Sequence, residues 1–169
     1  MKKRLLLRQK QVLLSAIFIE DRNAKRYSEW SDRFRPYHDE ACHLLEELEQ
    51  EELEHKKQLE TVYAKKFQEL PNLKSLKIDQ ALFLTEELKM PDEHFFVINK
   101  EMAVSILQAT LVAEEDAYKF YQSILRETED EDLLAVCKLL SEFEEDHVLK
   151  VVNWIDKYKN ELLIEKNAH

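Results

Sequence analysis

Apolar residues in this chain recur at alternating spacings of three and four, the period of a helix that buries one face. Four stripes can be traced. The first reads Leu13, Ile17, Glu20, Ala24, Tyr27, and the second Leu45, Leu48, Glu52, His55, Leu59, Val62. The third reads Leu107, Thr110, Glu114, Ala117, Tyr121, Ile124, and the fourth Leu133, Cys137, Leu140, Glu144, His147, Val151, Trp154. Pro36 and Pro71 punctuate the first half, because a residue before proline is pushed out of the helical region. The pattern predicts helices over about 5–34, 37–67 and 99–127, and a fourth from the acidic segment Thr128–Asp132 to about Leu163. Asn99 suits an N-cap, and the acidic segment complements the macrodipole at a helix start.

Helices of about 30 residues span roughly 45 Å and need partners to bury their stripes. Two predicted connections are short, and one, over about 70–98, is long. The expected architecture is therefore all-α: a single domain over 1–169 forming an antiparallel four-helix bundle, with one long crossover between helices 2 and 3. Within the crossover the patch Ile78–Leu88 is amphipathic. It predicts a short helix that packs its own apolar side, caps the bundle or forms a dimer contact.

Composition sharpens this picture. The 169 residues include no glycine and only three prolines, where average usage would give roughly 12 glycines. Gly-rich phosphate loops, dinucleotide-binding turns and nucleophile elbows are thereby excluded. The apolar fraction is an ordinary 44%, but 36% of residues are charged and the net charge is −10. An acidic chain lacks the basic stripe that nucleic acid or an anionic membrane requires. Cys42 and Cys137 form no CxxC pair and read as buried thiols of a reducing, cytoplasmic compartment. Met1–Leu7 imitates the start of a signal peptide, but Arg8, Gln9, Lys10 and Gln11 interrupt it, and no apolar run is long enough to span a membrane. The expected location is the cytoplasm.

The four stripes share one anomaly. Each is apolar except near its middle, where it turns acidic, and in the second and fourth it becomes Glu-x-x-His. An unpaired buried carboxylate costs several kcal/mol, and four of them would rival the ~5–15 kcal/mol net stability of a domain. No Lys or Arg interrupts these stripes to compensate. Two divalent cations would: four carboxylates carry −4, and two neutral imidazoles add nitrogen donors. A Glu and a His at i, i+3 project from one helix face and can grip one metal, while the single Glu residues add coordination or bridge. Mixed oxygen and nitrogen donors suit iron or manganese and also accept zinc. A third Glu-x-x-His, Glu40 with His43, lies off the stripe and reads as a solvated face. A repeat supports the site. Glu20 and Glu114 are each followed seven residues later by a tyrosine, Tyr27 and Tyr121, and the Glu-to-Glu separations within the halves are 32 and 30 positions.

With Glu20 and Tyr27, Glu52-Leu53-Glu54-His55 and Glu144-Glu145-Asp146-His147, the sequence resembles the ferritin-like superfamily, and within it the rubrerythrin-like diiron proteins. The resemblance covers nearly the whole chain outside the 70–97 connection. It implies a ferritin-like bundle whose metal ligands are Glu20, Glu52, His55, Glu114, Glu144 and His147, with Glu52 and Glu144 bridging. Tyr27 and Tyr121 would orient ligand carboxylates. It further implies two metal ions, iron foremost, reacting with O₂ or H₂O₂ as a ferroxidase or peroxidase, in a homodimer or larger homo-oligomer. The departures also inform. The Cys-rich electron-delivery domain of rubrerythrins has no counterpart here, so a separate electron donor protein is implied. Ala117 stands where those proteins carry an additional Glu, which counts against their peroxide route. Leu53 stands where bacterioferritins place a haem-binding Met, so no haem is expected. Diiron oxygenases often place Asp just before each Glu of Glu-x-x-His. Here those positions are Glu51 and Phe143, which disfavours the alternative of an oxygenase acting on an organic substrate. A non-catalytic metal-binding or iron-storage bundle is the other alternative.

Overall fold

The computed structural model describes residues 2–76 and 95–167. The Ile78–Leu88 patch lies outside the described residues. The described residues are helical, with no strand: α1 (Lys2–Phe34), α2 (Asp39–Phe67), a short 3-10 turn at Leu73–Ser75, α3 (Lys100–Glu127) and α4 (Glu131–Asn167). α1 packs along α2 and α3 along α4, and the two pairs meet to form a four-helix assembly.

The helix ends follow from local chemistry. Asn99 caps α3, its side chain accepting from the Met102 amide at 2.9 Å. Asp130 does the same for α4 through the Leu133 amide at 3.1 Å. α2 begins two residues later than the pattern predicts, because Pro36 ends one helix and His38 caps the next, its extended backbone letting Nδ1 accept from the Ala41 amide. At the other end of α2, Gln68 adopts the left-handed conformation (φ 54°) that glycine usually supplies at this position. This glycine-free chain uses glutamine there, its side-chain amide donating to the Lys65 carbonyl at 2.7 Å. α1 starts one turn earlier than predicted, and α4 runs one turn further.

The buried apolar residues fall into two clusters. One holds Phe34 and Tyr27 of α1, Leu44, Leu45 and Leu48 of α2, Met102, Ile106 and Leu107 of α3, and Val151, Ile155 and Tyr158 of α4. The other holds Leu13, Leu14 and Ile17 of α1, Leu59 and Tyr63 of α2, Ala117, Tyr121 and Ile124 of α3, and Leu133, Cys137 and Leu140 of α4. In every helix the acidic interruption lies between the residues it gives to one cluster and those it gives to the other. The polar layer therefore sits between two dry ones. Val62 and Trp154, at the stripe ends, are only partly buried and pack against the clusters from outside.

Ion pairs stitch the helices along their length. Lys56 of α2 donates to Asp21 of α1 at 2.7 Å, Arg35 past the end of α1 reaches Glu46 of α2 at 3.0 Å, and Lys10 near the start of α1 pairs with Glu69 beyond the end of α2. Lys157 of α4 reaches Glu40 of α2 at 3.0 Å. Each contributes little alone, since exposed pairs give about 0–1 kcal/mol. They fix register more than stability. Glu40 and His43 are exposed, as the off-stripe position predicts. Both cysteines are buried free thiols, and no described helix is long and apolar enough to cross a membrane.

Candidate metal centre

All six residues singled out from the stripes are buried. Glu20, Glu52, Glu114 and Glu144 are 0% exposed, His147 is 1% and His55 3% exposed. Each stands mid-helix between the residues its helix gives to one apolar cluster and those it gives to the other, so the packing of both clusters also holds the carboxylates in place. They form two overlapping groups: Glu20, Glu52, His55 and Glu144, and Glu52, Glu114, Glu144 and His147. Within each group one donor atom per residue lies within 4.8 Å of all the others. Glu52 and Glu144 belong to both.

Both imidazoles turn Nδ1 inward. That of His55 lies 3.4 Å from Glu20 Oε2 and 3.6 Å from Glu52 Oε2. That of His147 lies 3.2 Å from Glu114 Oε2, 3.6 Å from Glu52 Oε1 and 3.9 Å from Glu144 Oε2. The rings stack on each other with centroids 5.7 Å apart. Many of the inward atoms have no hydrogen-bond partner: both oxygens of Glu52, both of Glu144, one each of Glu20 and Glu114, and Nδ1 of His55. Buried polar atoms are normally paired, since each orphan costs about 1–3 kcal/mol and charged ones more. Seven orphaned donors converging on one centre are the arrangement a cation satisfies. This buried cluster can hold metal.

The chain matches no protein-family model, no curated protein and no solved structure closely enough to identify a family.

The electrostatics of the cluster favour protons on several of its groups. Burial raises the Glu20 carboxyl well above its ordinary value, and the charge of Glu52 adds to this. Burial likewise raises Glu144, helped by Glu52, Glu114 and Glu20. Burial opposes protonation of the imidazoles, but neighbouring carboxylates outweigh it. His55, beside Glu20 and Glu52, is pushed up to about 9, and His147, beside Glu114, Glu51 and Glu52, to about 12. Glu52 carries the opposite balance: its burial penalty is overcome by contacts with Glu20, His147 and His55 that hold it down at about 2. Protons thus supply the positive charge that metal would bring. Metal and protons compete for the same atoms.

The two tyrosines behave differently. The Tyr121 hydroxyl donates to Glu20 Oε1 across from α3 to α1. Tyr27, equally buried, lies beside Glu114 and Glu52, and its hydroxyl has no hydrogen-bond partner.

Two further residues touch the site, and a third lies one helical turn from Glu20; all three escaped the stripe reading. Glu51, half-exposed on α2, accepts from His147 Nε2 at 2.5 Å and is itself held by Lys150 Nζ at 3.1 and 3.2 Å. A carboxylate on the outer nitrogen fixes the ring orientation and makes the inner nitrogen a better donor. The departure at Glu51 therefore has less weight than the sequence suggests, because a glutamate here does reach a site histidine. Phe143, the equivalent position on α4, stacks on His55 with centroids 4.9 Å apart. Asn23 on α1 is 0% exposed, with both side-chain polar atoms unpartnered. For Glu51 the sequence signal was its place directly before the Glu of Glu-x-x-His; for Asn23 it was a polar residue three positions after Glu20.

Proposed function

We propose that this chain is a dimetal, foremost diiron, carboxylate protein of the rubrerythrin-like kind, reacting with O₂ or H₂O₂ in iron handling or oxidant defence. The observation that carries the reading is the pair of overlapping donor groups sharing Glu52 and Glu144, buried and with most of their inward atoms unpartnered. In this reading Glu20 and His55 complete one metal position and Glu114 and His147 the other. Glu52 and Glu144, common to both donor groups, would hold both ions. The bundle is antiparallel with a crossover over about 70–98. In support, α2 ends at the cluster of Leu59 and Tyr63, whereas α3 begins at the opposite cluster with Met102, so the connecting chain has the length of the bundle to cover.

Two ferrous ions would supply the two electrons that, with two protons, reduce H₂O₂ to two waters or O₂ to H₂O₂. The chain's own residues do the rest. Tyr121 holds Glu20 Oε1, leaving Oε2 directed at the centre. Glu51 and Lys150 lock the His147 ring with Nδ1 inward. The apolar clusters on both sides keep bulk water out, so interactions within the layer act in a low dielectric. In this reading a redox partner returns the electrons.

The test is anaerobic Fe(II) loading, elemental analysis and then peroxide, followed by absorbance. Two iron ions per chain and oxidation well above the rate of free Fe(II) are expected. Two ions without accelerated oxidation would leave a non-catalytic metal-binding bundle. If Glu52→Ala kept both metal content and melting temperature unchanged, the site reading itself would fail.

A further inference from the structure

The metal layer has two unlike sides. On one, His55 of α2 and His147 of α4 stack face to face. On the other, α1 and α3 are tied by Tyr121 to Glu20, while Tyr27 lies beside Glu114. These two pairs set the register of α1 against α3, and between them they bring Asn23 and Ala24 level with Ala117. All three are buried.

Asn23 is one turn from Glu20 and one turn from Tyr27, on the flank of α1 that carries Ile19, about 40° around the helix from it. Its amide can donate two hydrogen bonds and accept two more, yet neither polar atom has a partner. Ala117, at this level of α3, carries only a methyl group. Outside this point a groove of about 290 Å³ opens between α1 and α3, lined by Ile19, Arg22, Asp116, Ala117, Lys119 and Phe120. Ile19 and Ala117 thus border both the groove and the interior where Asn23 is enclosed.

We infer that Asn23 binds the small exogenous ligand of the metal centre, a compact oxygen- or nitrogen-terminated molecule of two to four atoms. The ligand approaches between α1 and α3 and meets the centre on the side away from the imidazoles. An unpaired neutral amide suits this role. It can donate to a terminal atom that gains negative charge and accept from one that carries a proton, and it adds no charge to an acidic layer. The inference rests on the dimetal reading and extends it to a residue that need not ligate metal.

The probe is azide, titrated into protein loaded with Co(II), whose visible bands report the coordination of the metal. Asn23→Leu keeps the volume and removes the hydrogen bonds; Asn23→Ser keeps a donor and acceptor and guards against a folding failure of the first variant. Both variants are expected to retain two cobalt ions per chain. Azide should bind Asn23→Leu about tenfold more weakly than wild type, as the loss of one hydrogen bond to a charged ligand implies. Asn23→Ser should fall between. Azide affinity equal to wild type in both variants overturns the assignment. So does a loss of cobalt along with azide, because Asn23 would then be supporting the carboxylates. A wild-type protein that takes up cobalt but no azide also overturns it. Failure of the wild type to bind cobalt instead removes the dimetal reading and this inference with it.

Discussion

His55 and His147 occupy equivalent places on α2 and α4, yet they keep different company. His147 is braced from outside by a polar chain, Lys150 to Glu51 to Nε2, and its inward nitrogen faces three carboxylates. His55 is braced by an aromatic plate, Phe143, and its inward nitrogen faces two. The tyrosines reverse the asymmetry. Glu20, on the His55 side, receives the Tyr121 hydroxyl, while Tyr27 on the His147 side is unpaired and Glu114 contacts the imidazole instead. A site built from two repeats is therefore not symmetric. Each half is held by one polar contact from outside its ligands, on the histidine in one and on the carboxylate in the other. The difference teaches that two donor groups with the same residue types can differ in their hold on a cation through neighbours outside both groups.

The largest effect comes from removing what the halves share. Glu144→Ala deletes a carboxylate common to both donor groups, so metal uptake at both positions is expected to collapse rather than halve. At metal concentrations of 100 to 1,000 times Kd, a bound ion stabilises the fold by about 3–4 kcal/mol, and that increment should vanish. The metal-free variant should melt above the metal-free wild type, because a buried carboxylate has left a crowded acidic layer. Calorimetry with and without metal reads both signs. A variant that still gains stability from metal would show the carboxylate to be dispensable.

The asymmetry itself is tested by cutting one brace at a time. Glu51→Ala should weaken one metal position by about 10- to 100-fold, the usual cost of losing a carboxylate behind a ligating imidazole. Phe143→Ala should leave affinity closer to wild type and act mainly on packing. Equilibrium metal titration should then show a one-metal intermediate in the Glu51 variant and none in the Phe143 variant. Equal weakening in the two would erase the distinction drawn between the halves.

Acidity offers a third handle. His55, raised from an ordinary 6.5 to about 9, contributes stability to the metal-free protein that is full below about pH 6.5 and is lost as pH rises through 9. His147, raised to about 12, acts in the same sense over a wider range. The raised carboxyls of Glu20 and Glu144 also favour the folded state at lower pH. Glu52, held down at about 2, acts oppositely, its contribution being lost as pH falls below the usual carboxylate range. Metal must displace the imidazole protons, so its affinity rises with pH. Metal-free melting temperatures should fall by several degrees between pH 6.5 and 9, and the gap to the loaded protein should widen. A gap that narrows over that interval contradicts proton competition.

What the sequence conveyed, and what it withheld, divides along the same line. The stripes with Glu20, Glu52, Glu114 and Glu144 were legible because a charge inside an apolar period violates the pattern at a known spacing. Asn99 was legible as a cap because its function is local. The neighbours that distinguish the halves were not. Glu51 belongs by period to the flank of α2, and only the approach of α4 turns that flank toward His147. Asn23 lies off the stripe centre, and nothing in one helix reveals that it is buried. Gln68 in a left-handed cap was equally hidden, because the missing glycine showed that something else must fill such positions without saying what. Contacts within a helix obey a period; contacts between helices depend on register, which this chain sets through pairs such as Lys56–Asp21.

The smallest effect separates the two tyrosines, and it bears most directly on register. Tyr121→Phe removes a hydroxyl that donates to a buried carboxyl group and leaves Glu20 Oε1 unpaired. The expected loss is about 1–2 kcal/mol, or roughly 2–8 °C in the melting temperature of a chain this long. Tyr27→Phe removes a hydroxyl that has no partner, so the metal-free fold should change by less than about 0.5 kcal/mol, and a gain is as consistent as a loss because a buried orphan disappears. The repeat alone would assign the two tyrosines equal roles, since each follows its glutamate by seven residues on the same helix face. Unequal melting temperatures would show that the partner helix, and not the spacing, decides which hydroxyl is bonded. Equal losses would mean that Tyr27 is bonded to Glu114 in solution, and the two halves of the layer would then be more alike than their histidines are.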